Sequence, residues 1–182
     1  AVNGELAGVI AVGDTIKPIV LPPITRSVCR LMKPLPVFWP DAPPQSSDIP
    51  MVSGNTRDEA RGVLGNAPAN LTLGWDDVPE KLRKQQFVDL DPREVIAEYR
   101  RLYPRYTPSD VFFAATTAGR SWRGAVEELE ARAAQGRNTW AYQLDWHPDT
   151  DEGRRTRAFH TLDIPLVFDT IAAEAQRQLN ET

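Results

Sequence analysis

Short apolar runs lie near both ends of the chain, and amphipathic helical spacing fills the middle. Leu6 to Val12, after an Asn3-Gly4 turn signal, predicts a strand. Residues 19–37 contain Pro22-Pro23, Lys33-Pro34 and Leu35-Pro36, which forbid long regular elements. Ile49 to Val52 is a second short apolar run, of the kind buried in parallel sheets, and Gly54-Asn55 predicts a turn after it. A helix is expected from Thr56, with Glu59 at the spacing of a capping box. Residues 66–79 read as a loop or short broken helix, and Pro79 to Phe87 as a charged helix. Asp91-Pro92 opens a stronger helix, whose apolar positions Val95, Ile96, Tyr99, Leu102 and Tyr103 share one face. Thr107-Pro108-Ser109-Asp110 caps another, and Trp122 to Ala134 forms a third with Ala125, Leu129 and Ala133 on its stripe. The Arg and Glu residues of these helices read as solvated faces. Thr139 to Trp146 alternates as an aromatic-rich strand. His147 to Gly153 reads as a polar loop and Phe168 to Leu179 as an amphipathic helix.

Composition narrows the picture. A chain of 182 residues, 41% hydrophobic, can build one globular core. A formal charge of −4 argues against a broad nucleic-acid footprint. No apolar run reaches the roughly 20 residues that span a bilayer, and no basic segment leads into an apolar signal-peptide core. A soluble, cytoplasmic protein is expected, and the first residue, Ala1, suggests processing, a removed tag or a fragment. Cys29 is the single cysteine, so no internal disulfide forms, and it reads as a buried or inert thiol. His147 with Asp149 and Asp151 lacks a second histidine or cysteine nearby, so no metal site is expected. No cofactor is expected either.

Two stretches carry candidate chemistry. Ile49-Pro50-Met51-Val52-Ser53-Gly54-Asn55-Thr56-Arg57-Asp58-Glu59 and Ala158-Phe159-His160-Thr161-Leu162-Asp163-Ile164-Pro165 resemble the acid-bearing and histidine-bearing segments of type-B carboxylesterases. That resemblance covers residues about 38–175, starting at Phe38-Trp39-Pro40-Asp41-Ala42-Pro43-Pro44-Gln45-Ser46. Residues 1–18 instead resemble the hinge of heavy-metal P-type ATPases, without the phosphorylated aspartate motif; Asp14 is then a turn residue. The chain thus divides into residues 1–37, a strand plus proline-rich linker, and residues 38–182, similar to the C-terminal part of an esterase. The resemblance implies a partial α/β-hydrolase-like, three-layer α/β domain, helix-rich with a few mostly parallel strands.

It also implies an ester hydrolase acting on small activated esters, with His160 as base and Glu59 as the acid that orients it, 101 residues away. On spacing alone Glu59 is equally a capping carboxylate. The family's G-x-S-x-G serine and oxyanion glycines are missing; Gly4-Glu5-Leu6-Ala7-Gly8 carries leucine at that place. Ser53 is the nearest candidate nucleophile, with a second reading as a small residue before the turn; Ser27, Ser46, Ser47, Ser109 and Ser121 have no stronger claim. Asp163 is expected to hold the histidine loop. The rival reading is a catalytically inactive, truncated or chimeric folding domain. A third is a small-molecule binding module in a remnant acyl pocket lined by Trp140, Phe159 and Phe168. A sheet lacking the rest of the esterase is expected to bury its open edge partly under residues 1–37 and partly in a homo-oligomer, which sedimentation would detect.

Overall fold

The computed structural model describes residues 48–85 and 91–170. The expectations for Leu6 to Val12, Asp14, Ser27, Cys29, the Phe38–Ser46 loop, Ser47 and most of Phe168–Leu179 lie outside those residues.

Strand β1 (Met51–Thr56) starts two residues later than expected and runs straight through Gly54 and Asn55, where a turn was predicted. The reason lies on the neighbouring strand. β2 (Thr139–Leu144) pairs with β1 in parallel, with Gly54 opposite Tyr142. A Cβ at position 54 would lie 2.3 Å from the Tyr142 carbonyl oxygen and 2.4 Å from its ring. Glycine is required there by close approach, and the chain remains extended. Thr56 consequently ends the strand instead of capping a helix.

Helix α1 (Glu59–Leu64) follows, with Asp58 at its N-cap position. A single 3-10 turn, Pro68–Leu71, breaks the 66–79 connection. Helix α2 (Val78–Gln85) buries Val78 and Leu82. Helix α3 (Pro92–Leu102) begins as its sequence dictates: the Asp91 carboxylate accepts the Arg93 N–H, and Pro92 fills a position that needs no donor. Helix α4 (Pro108–Thr117) has a complete capping box, in which Thr107 Oγ1 accepts from Asp110 N while Asp110 accepts from Thr107 N.

From α4 the chain passes without a break through a π turn, Ala118–Trp122, into α5 (Arg123–Ala134). The wider turn advances the helical register, so Trp122 of the turn and Val126 of α5 are buried beside the expected Leu129, whereas Ala125 and Ala133 are only partly buried. Arg123 and Arg132 are buried as well, correcting the solvated-face reading. Arg123 Nε donates to Glu127 at 2.8 Å, and Arg132 Nη2 donates to the Ile49 carbonyl at 3.0 Å, while Arg132 Nε is buried without a partner. Helix α6 (Asp151–Thr156) replaces part of the predicted polar loop, with Thr150 Oγ1 accepting from Gly153 N. Helix α7 (Asp163–Val167) ends at Phe168, which is 70% exposed.

The described residues form a helix-rich mixed α/β architecture with one two-stranded parallel sheet. The core lies among the helices: Ala60 of α1, Val78 and Leu82 of α2, Val95, Ile96 and Tyr99 of α3, and Val111, Phe112, Phe113 and Ala115 of α4. Fully burying a side chain such as Leu82 contributes about 1.5–3 kcal/mol. Helix α5 packs against both strands and ties the sheet to this block. Among the described residues no helix is long and apolar enough to cross a membrane.

Candidate functional site

Parallel pairing brings the C-terminal ends of β1 and β2 side by side, and the candidate residues gather beyond those ends. Glu59 is the first residue of α1, and its carboxylate divides its work. One oxygen accepts the Thr56 N–H at 2.9 Å, as a capping carboxylate does. The other lies 2.5 Å from His160 Nδ1. An ionised carboxylate can only accept, so Nδ1 carries the hydrogen of this contact. Glu59 is largely buried, with its side chain 15% exposed, whereas the His160 side chain is 58% exposed. One side chain thus contacts both the Thr56 N–H and the His160 imidazole.

The histidine loop is held from several sides. Asp58 N donates to the Ala158 carbonyl at 2.8 Å, joining the start of α1 to the loop. A Cβ on Gly62 would come within 3.2 Å of His160 N and of the Phe159 ring, so α1 lies directly against the loop. Thr161, immediately after His160, has a φ of 76°, a strained conformation for a β-branched residue. Asp163, expected to hold the loop, does so through a residue that the sequence reading placed only as part of a strand: Tyr142 donates its hydroxyl to Asp163 Oδ2 at 2.6 Å. Burial first, then the hydrogen bond and charge of Asp163, then the charge of Glu59 push the Tyr142 hydroxyl up to about 12. Tyr142 is therefore a neutral phenol at physiological pH, hydrogen-bonded to Asp163 and subject to the charge of Glu59.

Ser53 is not brought to this group. Side chains alternate along β1, so Ser53 leaves the sheet on the same face as Asn55, whose amide donates to Ser121 on the π turn. Gly54, on the other face, meets the Tyr142 ring. Ser53 therefore projects away from the side that carries Tyr142, Asp163 and His160. Ser109 and Ser121 are occupied structurally, Ser109 Oγ accepting the Leu73 N–H at 3.0 Å.

His147 Nδ1 faces the Pro148 carbonyl at 2.9 Å, while Asp149 and Asp151 both pair with Arg154. Among the described residues no group of three or more His, Cys, Asp or Glu side chains is arranged to hold a metal.

A cavity of about 180 Å³ lies elsewhere, against the helices. Its lining includes Tyr99, Tyr103, Tyr106 and Trp122 but none of Trp140, Phe159 and Phe168, so it is not the acyl pocket anticipated from the sequence. The aromatic spacing Tyr99, Tyr103, Tyr106 was visible along the chain, but nothing local revealed that Trp122 would face it from beyond a π turn.

No family model matches the chain, and neither does any curated protein.

Proposed function

We propose that the chain is a slow hydrolase for small activated esters, of carboxylesterase lineage and built on part of an α/β-hydrolase sheet. His160 acts as general base and Glu59 as the group that fixes its tautomer. The observation that carries this reading is the 2.5 Å contact from His160 Nδ1 to the Glu59 carboxylate, made by a histidine that keeps its other nitrogen at an accessible surface. With Ser53 directed to the other face of the sheet, the nucleophile in this reading is water. His160 Nε2 takes a proton from the water while its oxygen adds to the ester carbonyl. The tetrahedral adduct then expels the alkoxide or phenoxide, which recovers a proton, leaving a carboxylic acid and an alcohol. Each oxyanion donor is worth roughly 10²–10³-fold in such a step, so esters with good leaving groups, which lean least on those donors, are the expected substrates.

p-Nitrophenyl acetate hydrolysis by the wild type, His160→Ala and Glu59→Gln tests the proposal. His160→Ala is expected to remove nearly all turnover above the buffer rate, and Glu59→Gln to lower it while leaving some. Equal rates for the wild type and His160→Ala would overturn the reading.

The direction of Ser53 favours a second reading, a folding domain without catalysis in which Glu59 serves mainly as a cap. Equal rates in the same assay would support it.

A further inference from the structure

The aromatic cavity stands apart from the His160–Glu59 pair, since neither residue lines it. Its walls are Tyr99, Tyr103 and Tyr106 with Trp122, and Tyr103 stacks on Tyr106 with ring centroids 4.6 Å apart. Tyr99 and Trp122 are almost fully buried. The floor is small: Ala114 and Ala118 place only methyl groups there, which is why space remains. At the rim Arg57 bridges two neighbours, giving Nη1 to both Asp145 oxygens at 2.6 and 2.8 Å and Nη2 to the Tyr106 hydroxyl at 3.2 Å. Arg57 and Asp145 thus neutralise each other, and the rim presents no net charge.

Asp58 is different. It lines the cavity with a side chain only 14% exposed, and the nearest guanidinium nitrogens, on Arg61 and Arg157, stand 3.6 and 3.9 Å away. Those distances exceed a hydrogen bond, and both arginines make their shorter contact to Asp110 instead. Burial raises the Asp58 carboxyl above the usual carboxylate range despite Arg61, Arg157 and Arg57, as expected of an acceptor short of donors.

The geometry points to a binding site for a single-ring aromatic ligand carrying one hydrogen-bond donor, of the phenol class, with its ring between the tyrosines and Trp122 and its donor on Asp58. The volume fits: a cavity of about 150 Å³ holds a benzene ring, and this one offers about 180 Å³. Aromatic walls favour offset or edge-to-face contact with such a ring. A donor to an ionised carboxylate forms the stronger, charge-assisted class of hydrogen bond. An anionic ligand would be repelled by Asp58, and the rim guanidinium of Arg57 is already committed to Asp145.

Phenol and anisole, which differ by the donor, are titrated into the intact chain by calorimetry, with Trp fluorescence as a second readout. Phenol is expected to bind about tenfold more tightly than anisole, the worth of one hydrogen bond to a charged group. Ala114→Leu fills the floor without touching Asp58 and should abolish phenol binding. Asp58→Asn should bring phenol down towards anisole; because it also disturbs buried Arg61 and half-buried Arg157, its fold is checked by circular dichroism. The wild-type phenol–anisole comparison stands without either variant. No binding of phenol, equal affinity for the two ligands, or tighter binding of benzylammonium than of phenol would overturn the assignment.

Discussion

Tyr142 is the residue on which the geometry of the site turns. It occupies the space that Gly54 leaves open, and it anchors the histidine loop through Asp163. Its folded-state pKa lies above the value of an unfolded tyrosine, so the fold favours the neutral phenol. The stability this supplies is complete below the ordinary tyrosine value of about 10 and is lost as pH rises through about 12. Of the four tyrosines, Tyr142 should therefore be among the late ones in an alkaline titration followed by phenolate absorbance. Asp163→Asn removes an accepting charge and should move that late step to lower pH, and Tyr142→Phe should delete it. An unchanged titration curve in Asp163→Asn would refute the link between the two residues. Gly54→Ala would displace this tyrosine, because a methyl group cannot share the volume of its ring.

Between elements, a group of charged side chains joins α1, the cap of α4 and the segment before His160. Arg61, 7% exposed, pairs with Asp110 and donates to the Arg155 carbonyl at 3.1 Å; Arg157 reaches Asp110 at 2.7 Å. Burial alone would raise the Asp110 carboxyl, but two hydrogen bonds from Thr107 and the charges of Arg157 and Arg61 outweigh it and hold the group below its ordinary value. The folded chain therefore binds this proton more weakly than the unfolded chain does. Its contribution is present above the ordinary carboxylate range and is lost as pH falls through the depressed value. Asp110→Asn is expected to cost about 3–5 kcal/mol at neutral pH, the cost of stranding a buried charge. Denaturant midpoints should show the gap between wild type and variant narrowing in acid; a gap that did not change with pH would contradict this account.

This element scale also separates what the sequence revealed from what it hid. Asp91-Pro92 and Thr107-Pro108-Ser109-Asp110 were legible because a cap is satisfied within three residues of itself. The buried Arg123 and Arg132, the π turn and the demand for glycine at position 54 were not, since each depends on a partner distant in the chain. Ser53 was misplaced for the same reason: a turn expected at Gly54 would have left its direction free, whereas a continuous strand fixes it on the far face. Glu59 and His160 were singled out by resemblance, and no local pattern linked them.

At the scale of the whole molecule, the two strands of the described residues lie far apart in sequence, each β1 residue meeting one 88 positions later. Such pairing cannot form early, because closing a long loop costs entropy before any ladder bond repays it. Helices α2, α3 and α4 are contiguous in the chain and share one core, so they can associate first. The expected transition state is polarised, with this helical block formed and the sheet not yet zipped. Val95→Ala, in the block, should then slow refolding, whereas Leu144→Ala, at the end of β2, should leave refolding nearly unchanged and accelerate unfolding. Stopped-flow chevrons of the two variants would reverse that assignment if Leu144→Ala slowed refolding as much as Val95→Ala. On this timetable Glu59 and His160 meet only in the last step of folding, so a chain arrested before it would have its helical core but no aligned imidazole.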